Sequence, residues 1–150
     1  MKLAEALIKR ADLQTRNIQL KSRILKNVKI QDGDEPAESV AELINEYENN
    51  MVELEKLIVR INETNSKTDF NGSTLTEALA KKDCLTSRIK SYRDIYDEGT
   101  SKKDRYSRQE IKYVRCIDLK SLQTKIDKLC KEHRELDVKI QALNWTVDFL

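Results

Sequence analysis

Three glycines and one proline in 150 residues leave this chain almost without punctuation. With 36% charged and only 5% aromatic residues, that is the composition of long, solvated helices, and it gives an all-α fold. Glycine-rich phosphate loops are absent, which removes the nucleotide sites that depend on them. Long apolar runs are missing too. The longest uncharged stretch, Ile140 to Val147, has eight residues and includes Gln141, Asn144 and Thr146, against the roughly 20 apolar residues that a membrane span needs. Cys84, Cys116 and Cys130 cannot all pair within one chain, and none stands in a CxxC or in a Cys/His array of zinc spacing. They read as reduced thiols of a cytoplasmic protein. At the N-terminus Glu5, Lys9 and Arg10 fall where a secretion signal would need unbroken apolar sequence.

What is present is clearest between Asp118 and Leu150. Leu119, Leu122, Ile126, Leu129, His133, Leu136, Ile140, Leu143 and Val147 recur at alternating steps of three and four, the pattern of a helix packed along a narrow seam. Asp118 precedes the run as an N-cap whose carboxylate accepts from free backbone N–H groups. At 1.5 Å per residue the predicted helix, 118–149, is about 48 Å long. A rod of that length cannot bury its stripe alone, so its partner surface comes from other helices of this chain or from another copy.

Three more helices are predicted. The first spans 2–30 on Leu3, Ala6, Leu13, Leu20 and Ile24, with Arg10, Asn17 and Asn27 at seam positions and with Leu7, Ile18, Leu25 and Val28 widening the stripe. Polar seam residues fix register and partner number at some cost in stability. A turn, Gln31 to Ser39, follows; Asp-Gly supplies the reversal, and Asp34 or Glu35 caps a helix with Pro36 in its first turn. Its carboxylates do not follow the order of a calcium loop, and acidic residues at a helix start are expected from the macrodipole. The second helix spans 37–65 on Val40, Leu43, Tyr47, Asn50, Leu54, Leu57 and Ile61, with Ile44, Met51 and Ile58 alongside. Asn62 to Ser73 reads as a loop anchored by Phe70, and the third helix, 74–98, opens on a capping box from Thr74 to Glu77.

Charge is uneven along this plan. Residues 1 to 30 carry eight Lys/Arg against Glu5 and Asp12, whereas residues 31 to 48 carry seven carboxylates and no basic residue. An antiparallel pairing of the first two helices matches that charge internally. The connector 99–117 is basic through Lys102, Lys103, Arg105, Arg108, Lys112 and Arg115, with Tyr106 and Tyr113 interleaved. Such a stretch can grip phosphates and stack bases, which raises a nucleic-acid reading. Its alternation near 110–117 also suits a short strand, and a solvated structural connector is the reading preferred here.

His133 is the single histidine, so any imidazole-dependent dyad or triad must use it. It stands on the seam, where a packed, register-setting role accounts for it. Glu132, Glu135 and Asp137 are ordinary solvation of a charged face, and the Glu-x-x-His motif of di-iron bundles has no match. No catalytic residue, metal site or cofactor emerges, and the reading is non-enzymatic.

Several blocks resemble a family of small helical bacterial proteins labelled septicolysin-like. They are MKLAEALIKRADL at Met1–Leu13 with Gln14 and Arg16, GDEPAE at Gly33–Glu38, LIVRINETN at Leu57–Asn65, LTEALAKKD at Leu75–Asp83 and KEHRELDVKIQALNW at Lys131–Trp145. The resemblance implies an all-helical, coiled-coil-rich protein, and the label implies a membrane-active cytolysin. The chain shows neither a secretion signal nor a long helix with a clean apolar face rich in Trp and Phe. Within the last block Arg134, Asp137, Gln141 and Asn144 share one helix face, and opposite Arg10 and Asn17 they form an expected polar network.

Taken together, the residues describe a single helical domain, 1–150, folded as a four-helix antiparallel bundle or coiled coil. Its expected role is that of a self-associating structural or interaction protein, a homo-oligomer without small-molecule substrate. The cytolysin is the alternative, and nucleic-acid binding through the connector the third.

Overall fold

In the computed structural model, residues 1–101 and 112–150 are described. The all-α expectation holds: among the described residues there are four long helices, α1 (Leu3–Asn27), α2 (Val40–Lys67), α3 (Leu75–Thr100) and α4 (Leu119–Thr146). Two two-residue strands, β1 (Asp69–Phe70) and β2 (Ser73–Thr74), stand between α2 and α3. The residues form two compact units, Met1–Leu75 with Gln141–Leu150, and Thr76–Ile140. Each is described by itself.

The first unit is built on the α1·α2 hairpin, with the end of α4 in the same unit. Pairing runs antiparallel, since Lys9 meets Glu53 at 2.6 Å, Asn17 meets Met51, and Arg23 meets Glu38. Leu13 and Leu20 from α1 are buried, as are Leu43, Leu54, Leu57 and Ile61 from α2. Both helices start or stop at side-chain caps. The Asn27 amide donates to the Arg23 carbonyl (2.9 Å), and its oxygen accepts from the Glu38 N–H (3.2 Å), so α1 ends there rather than at residue 30. Ser39, not Asp34 or Glu35, is the N-cap of α2, its hydroxyl accepting from the Glu42 N–H at 3.4 Å. Pro36 therefore lies in the turn, with Gly33 at φ +90° making the reversal.

Beyond α2 the expected loop holds a tight hairpin. Asp69 pairs with Thr74 and Phe70 with Ser73, and the two intervening residues, Asn71 and Gly72, have φ of +52° and +86°. Positive φ at both central positions is the type I′ geometry that follows the twist of the strands, and Asn-Gly adopts it at low cost. The ends of the chain close on the same unit. Leu3 N–H donates to the Val147 carbonyl and Phe149 N–H to that of Met1, both at 3.0 Å, bridging Lys2 to Asp148. Helix α4 consequently stops at Thr146, three residues short of the predicted end, and Val147 lies beyond it.

The second unit pairs α3 with α4, again antiparallel. Leu85, Ile89 and Leu129 form its buried cluster, with Tyr92, Cys130 and Leu136 packed against it. Burial of each such aliphatic side chain contributes about 1.5–3 kcal/mol. Gly99 stands where the chain returns; a Cβ there would lie 3.0 Å from Leu119 Cδ2, so the end of that leucine would have to shift by a few tenths of an ångström. Arg115 Nε donates to the Gly99 carbonyl at 2.8 Å and so satisfies an acceptor left open at the end of α3. Residues 112–116 are irregular, which corrects the strand expected near 110–117; positions 110 and 111 lie outside the described residues.

Candidate functional site

On α4 the seam residues face inward or sit at the edge of the core. Leu122, Ile126, Leu129 and Ile140 are buried, and Leu119, His133, Leu136, Leu143 and Val147 are half-buried. Asp118 caps the helix as its sequence position implies: Oδ1 accepts from the Lys120 N–H (3.0 Å) and Oδ2 from the Ser121 hydroxyl (2.8 Å). Those donors, Ser121 foremost, hold its carboxyl below the ordinary aspartate range.

Around the hydrophobic cluster of α3 and α4 runs a ladder of polar cross-links. Lys81 meets Glu132 at 3.3 Å, Lys82 meets Asp137 at 2.6 Å, and Arg93 donates to Cys130 Sγ at 3.5 Å. Lys125 sits 4.7 Å from the centre of the Tyr92 ring and, through a hydrogen bond first and its charge second, lowers the tyrosine's pKa. His133 belongs to this ladder. Its Nε2 lies 3.0 Å from Thr86 Oγ1, and the same hydroxyl lies 3.1 Å from the Lys82 carbonyl, to which it donates. Which of the two groups donates across the Thr86–His133 contact is set by the tautomer of the ring. The cleft beside this pair, about 530 Å³, is lined by Ile89, Arg93, Asp97 and Cys130 as well.

Two of the residues expected to form one polar network have partners within their own units. Asn17 Nδ2 donates to Met51 Sδ on α2 at 3.3 Å, and Asp137 is engaged by Lys82. Asn144 is buried, Arg10 is half-buried, and Arg134 and Gln141 are exposed. The seam position of Asn17 nevertheless leaves a mark: its oxygen, in a residue 7% exposed, has no hydrogen-bond partner, and neither has Asn50 Nδ2 on α2. Of the basic patch, Lys102, Lys103, Arg105 and Arg108 lie outside the described residues; Lys112 and Arg115 are exposed.

One surface was only half visible in the sequence. Around the α1·α2 hairpin the two broad sides differ. One carries the ion pairs Lys9–Glu53 and Arg23–Glu38. At about 100° per residue, Ile18 and Leu25 on α1 and Ile44, Met51 and Ile58 on α2, unlike Val52 and Val59, which point away from α1, are all turned the same way from their inward rows. In antiparallel helices that common sense places them on one side, opposite the ion pairs. Apart from the half-buried Ile58 the side is uncovered: Ile18 is 71% exposed, Leu25 63%, Ile44 45% and Met51 38%. Met51, Val52, Leu54, Ile58 and Val59 line a shallow groove of about 380 Å³ there, between Glu48 and Glu55.

Paired antiparallel helices with caps, cross-links and one apolar broad side define an all-α protein of helical hairpins, and among the described residues no group of three His, Cys, Asp or Glu side chains is placed to hold a metal. The chain belongs to the family of unknown function DUF6847, whose model matches residues 10–149. It is similar to a crystal structure described as a functionally unknown conserved protein from Corynebacterium diphtheriae, with 43% identity and a TM-score of 0.91 over 100% of this chain and 99% of that one. Comparison with curated proteins gives no match.

Proposed function

We propose that this chain is a non-enzymatic helical module that works by associating with itself, as a structural or interaction protein. The observation that carries the reading is the uncovered apolar side of the α1·α2 hairpin. A helix pair with large aliphatic residues on an open face is half of a bundle, and contiguous apolar surface of that kind marks an interaction site. The half-buried seam position of His133 and its contact with Thr86 support a packing role for the histidine. Light scattering after size exclusion tests the proposal at moderate salt. A discrete multiple of 17.5 kDa is expected, and a monomer at every accessible concentration would overturn it.

Three thiols without disulfide partners support a cytoplasmic setting. A membrane-active role rests on the septicolysin-like resemblance, and no helix among the described residues is long and apolar enough to cross a bilayer. Release of dye from anionic liposomes at low protein concentration tests that alternative. Nucleic-acid binding through the basic connector predicts an affinity that falls steeply with salt.

A further inference from the structure

We propose that the occupant of the open face of α1·α2 is a second copy of this chain, related by a two-fold axis running along the helices, so that α1 of each copy lies against α2 of the other. The inference rests on the self-association reading above and specifies its geometry.

Register is the first argument. Within the hairpin the contacts Asn17–Met51, Asn27–Glu38 and Lys9–Glu53 join residues whose numbers sum to between 62 and 68. A two-fold along the helix direction preserves that level between copies, because each α1 is carried beneath the other copy's α2 without sliding. Leu7 then lies over the stretch of the other α2 that holds Ile58, and Ile18 over the stretch from Ile44 to Asn50. Lys21 comes level with Ile44 to Tyr47, next to Glu48; Lys21 and Glu48 are both exposed.

Charge is the second argument. On this side α1 offers Arg10 and Lys21, and α2 offers Glu48 and Glu55. The other two-fold, perpendicular to the helices, stacks α1 on α1 and brings like charges into one strip. Such juxtaposition is costly at an interface, so the charge pattern selects the arrangement of α1 on α2. Area agrees. From Leu7 to Leu25 the face is about 27 Å long at 1.5 Å per residue and about 20 Å wide for two helices. That is roughly 540 Å² projected per copy, about 1,100 Å² for the pair, just above the threshold of about 1,000 Å² for a specific interface.

Lys21→Glu and Glu48→Lys, made separately in the full chain, test the arrangement by light scattering at low salt. Wild-type protein is expected at twice 17.5 kDa. Each single variant should dimerise about tenfold more weakly, because like charges then oppose each other across the two-fold. An equimolar mixture of the two should regain the wild-type affinity, since a dimer with one copy of each variant again sets opposite charges against each other at both contacts. Ile18→Asp, at an exposed position that does not endanger folding, should abolish the dimer. A wild-type monomer overturns self-association and this geometry with it. A dimer indifferent to Ile18→Asp leaves self-association standing and overturns the face. A dimer lost in Ile18→Asp but not restored by mixing the charge variants overturns the pairing of α1 with α2.

Discussion

The two hairpins are built from helices of nearly equal length, yet they treat their outer surfaces differently. In α3·α4 the buried cluster is narrow, and beside it polar side chains bind the helices to each other: Lys81–Glu132, Lys82–Asp137, Thr86–His133, Arg93–Cys130. In α1·α2 the ion pairs Lys9–Glu53 and Arg23–Glu38 lie on one side, and the other exposes Ile18, Leu25, Ile44 and Met51. A two-helix unit has no third layer, so its apolar surface must be narrow enough to seal within the pair or wide enough to recruit something else. The second hairpin comes nearer the first course, leaving Ile95 and Val138 exposed singly, and the first hairpin takes the second. The difference teaches that the amphipathic width of a helix, more than its length, decides whether it is finished.

The largest expected effect sharpens this contrast. Leu85→Ala removes a side chain 2% exposed from the α3·α4 cluster and should cost about 2–5 kcal/mol at every protein concentration. Ile18→Ser should cost the monomer no more than about 0.5 kcal/mol, as surface changes do, and should lower stability only where copies associate. Urea unfolding at two concentrations a hundredfold apart separates the cases. Equal concentration dependence in both variants would erase the distinction between the hairpins.

Asn17 offers the next test, within the first hairpin alone. Its amide oxygen is buried without a partner, so Asn17→Leu should stabilise the chain by about 1–3 kcal/mol, the desolvation cost of an orphaned group. A polar residue at such a position commonly fixes register, so the same variant should broaden the distribution of oligomer masses. A loss of stability would mean that the oxygen is satisfied in solution.

How much of this was legible beforehand depends on whether the deciding contact is local. The α4 seam and its Asp118 cap follow from spacing and one side chain, and the helical class follows from composition. Ile44, Met51 and Ile58 stand out in the sequence as a second row on α2, and Ile18 and Leu25 as a widening of α1. That both rows fall on one side, and that the side is open, requires the antiparallel pairing itself. The Asn71-Gly72 turn was a readable signal for a hairpin, obscured by its polar neighbours. The bridge of Lys2 to Asp148 had no local signal, since it joins opposite ends of the chain, and neither had the choice of Lys82 as partner for Asp137. For that last pair, a sequence reading of a buried network implies a cost well above 1 kcal/mol on Asp137→Ala. The side chains are 26% and 37% exposed, and a single pair open to water couples by about 1 kcal/mol or less in a double-mutant cycle with Lys82→Met.

The smallest effect is acid sensitivity, and it too divides the hairpins. Glu38 and Asp148, in the first unit, are held below the ordinary carboxyl range first by hydrogen bonds from charged donors, Arg23 and Lys2 respectively, and then by the charge of those donors. Asp118, in the second, is held down by neutral donors, the Ser121 hydroxyl first. A carboxyl whose folded pKa lies below its unfolded value of about 3.9–4.3 adds stability above that value, and the contribution disappears as pH falls through the folded pKa. Both hairpins should therefore weaken below about pH 4. Salt distinguishes them, because it screens exposed charges but leaves a hydrogen bond from a hydroxyl in place. Residue-resolved hydrogen exchange near pH 3, with and without 1 M salt, should show the acid sensitivity of the Glu38 and Asp148 regions shrink with salt while that at the start of α4 persists. A salt-insensitive response in all three would mean that hydrogen bonds, not charge, hold the first unit's carboxylates, and the contrast between the hairpins would then rest on their apolar faces alone.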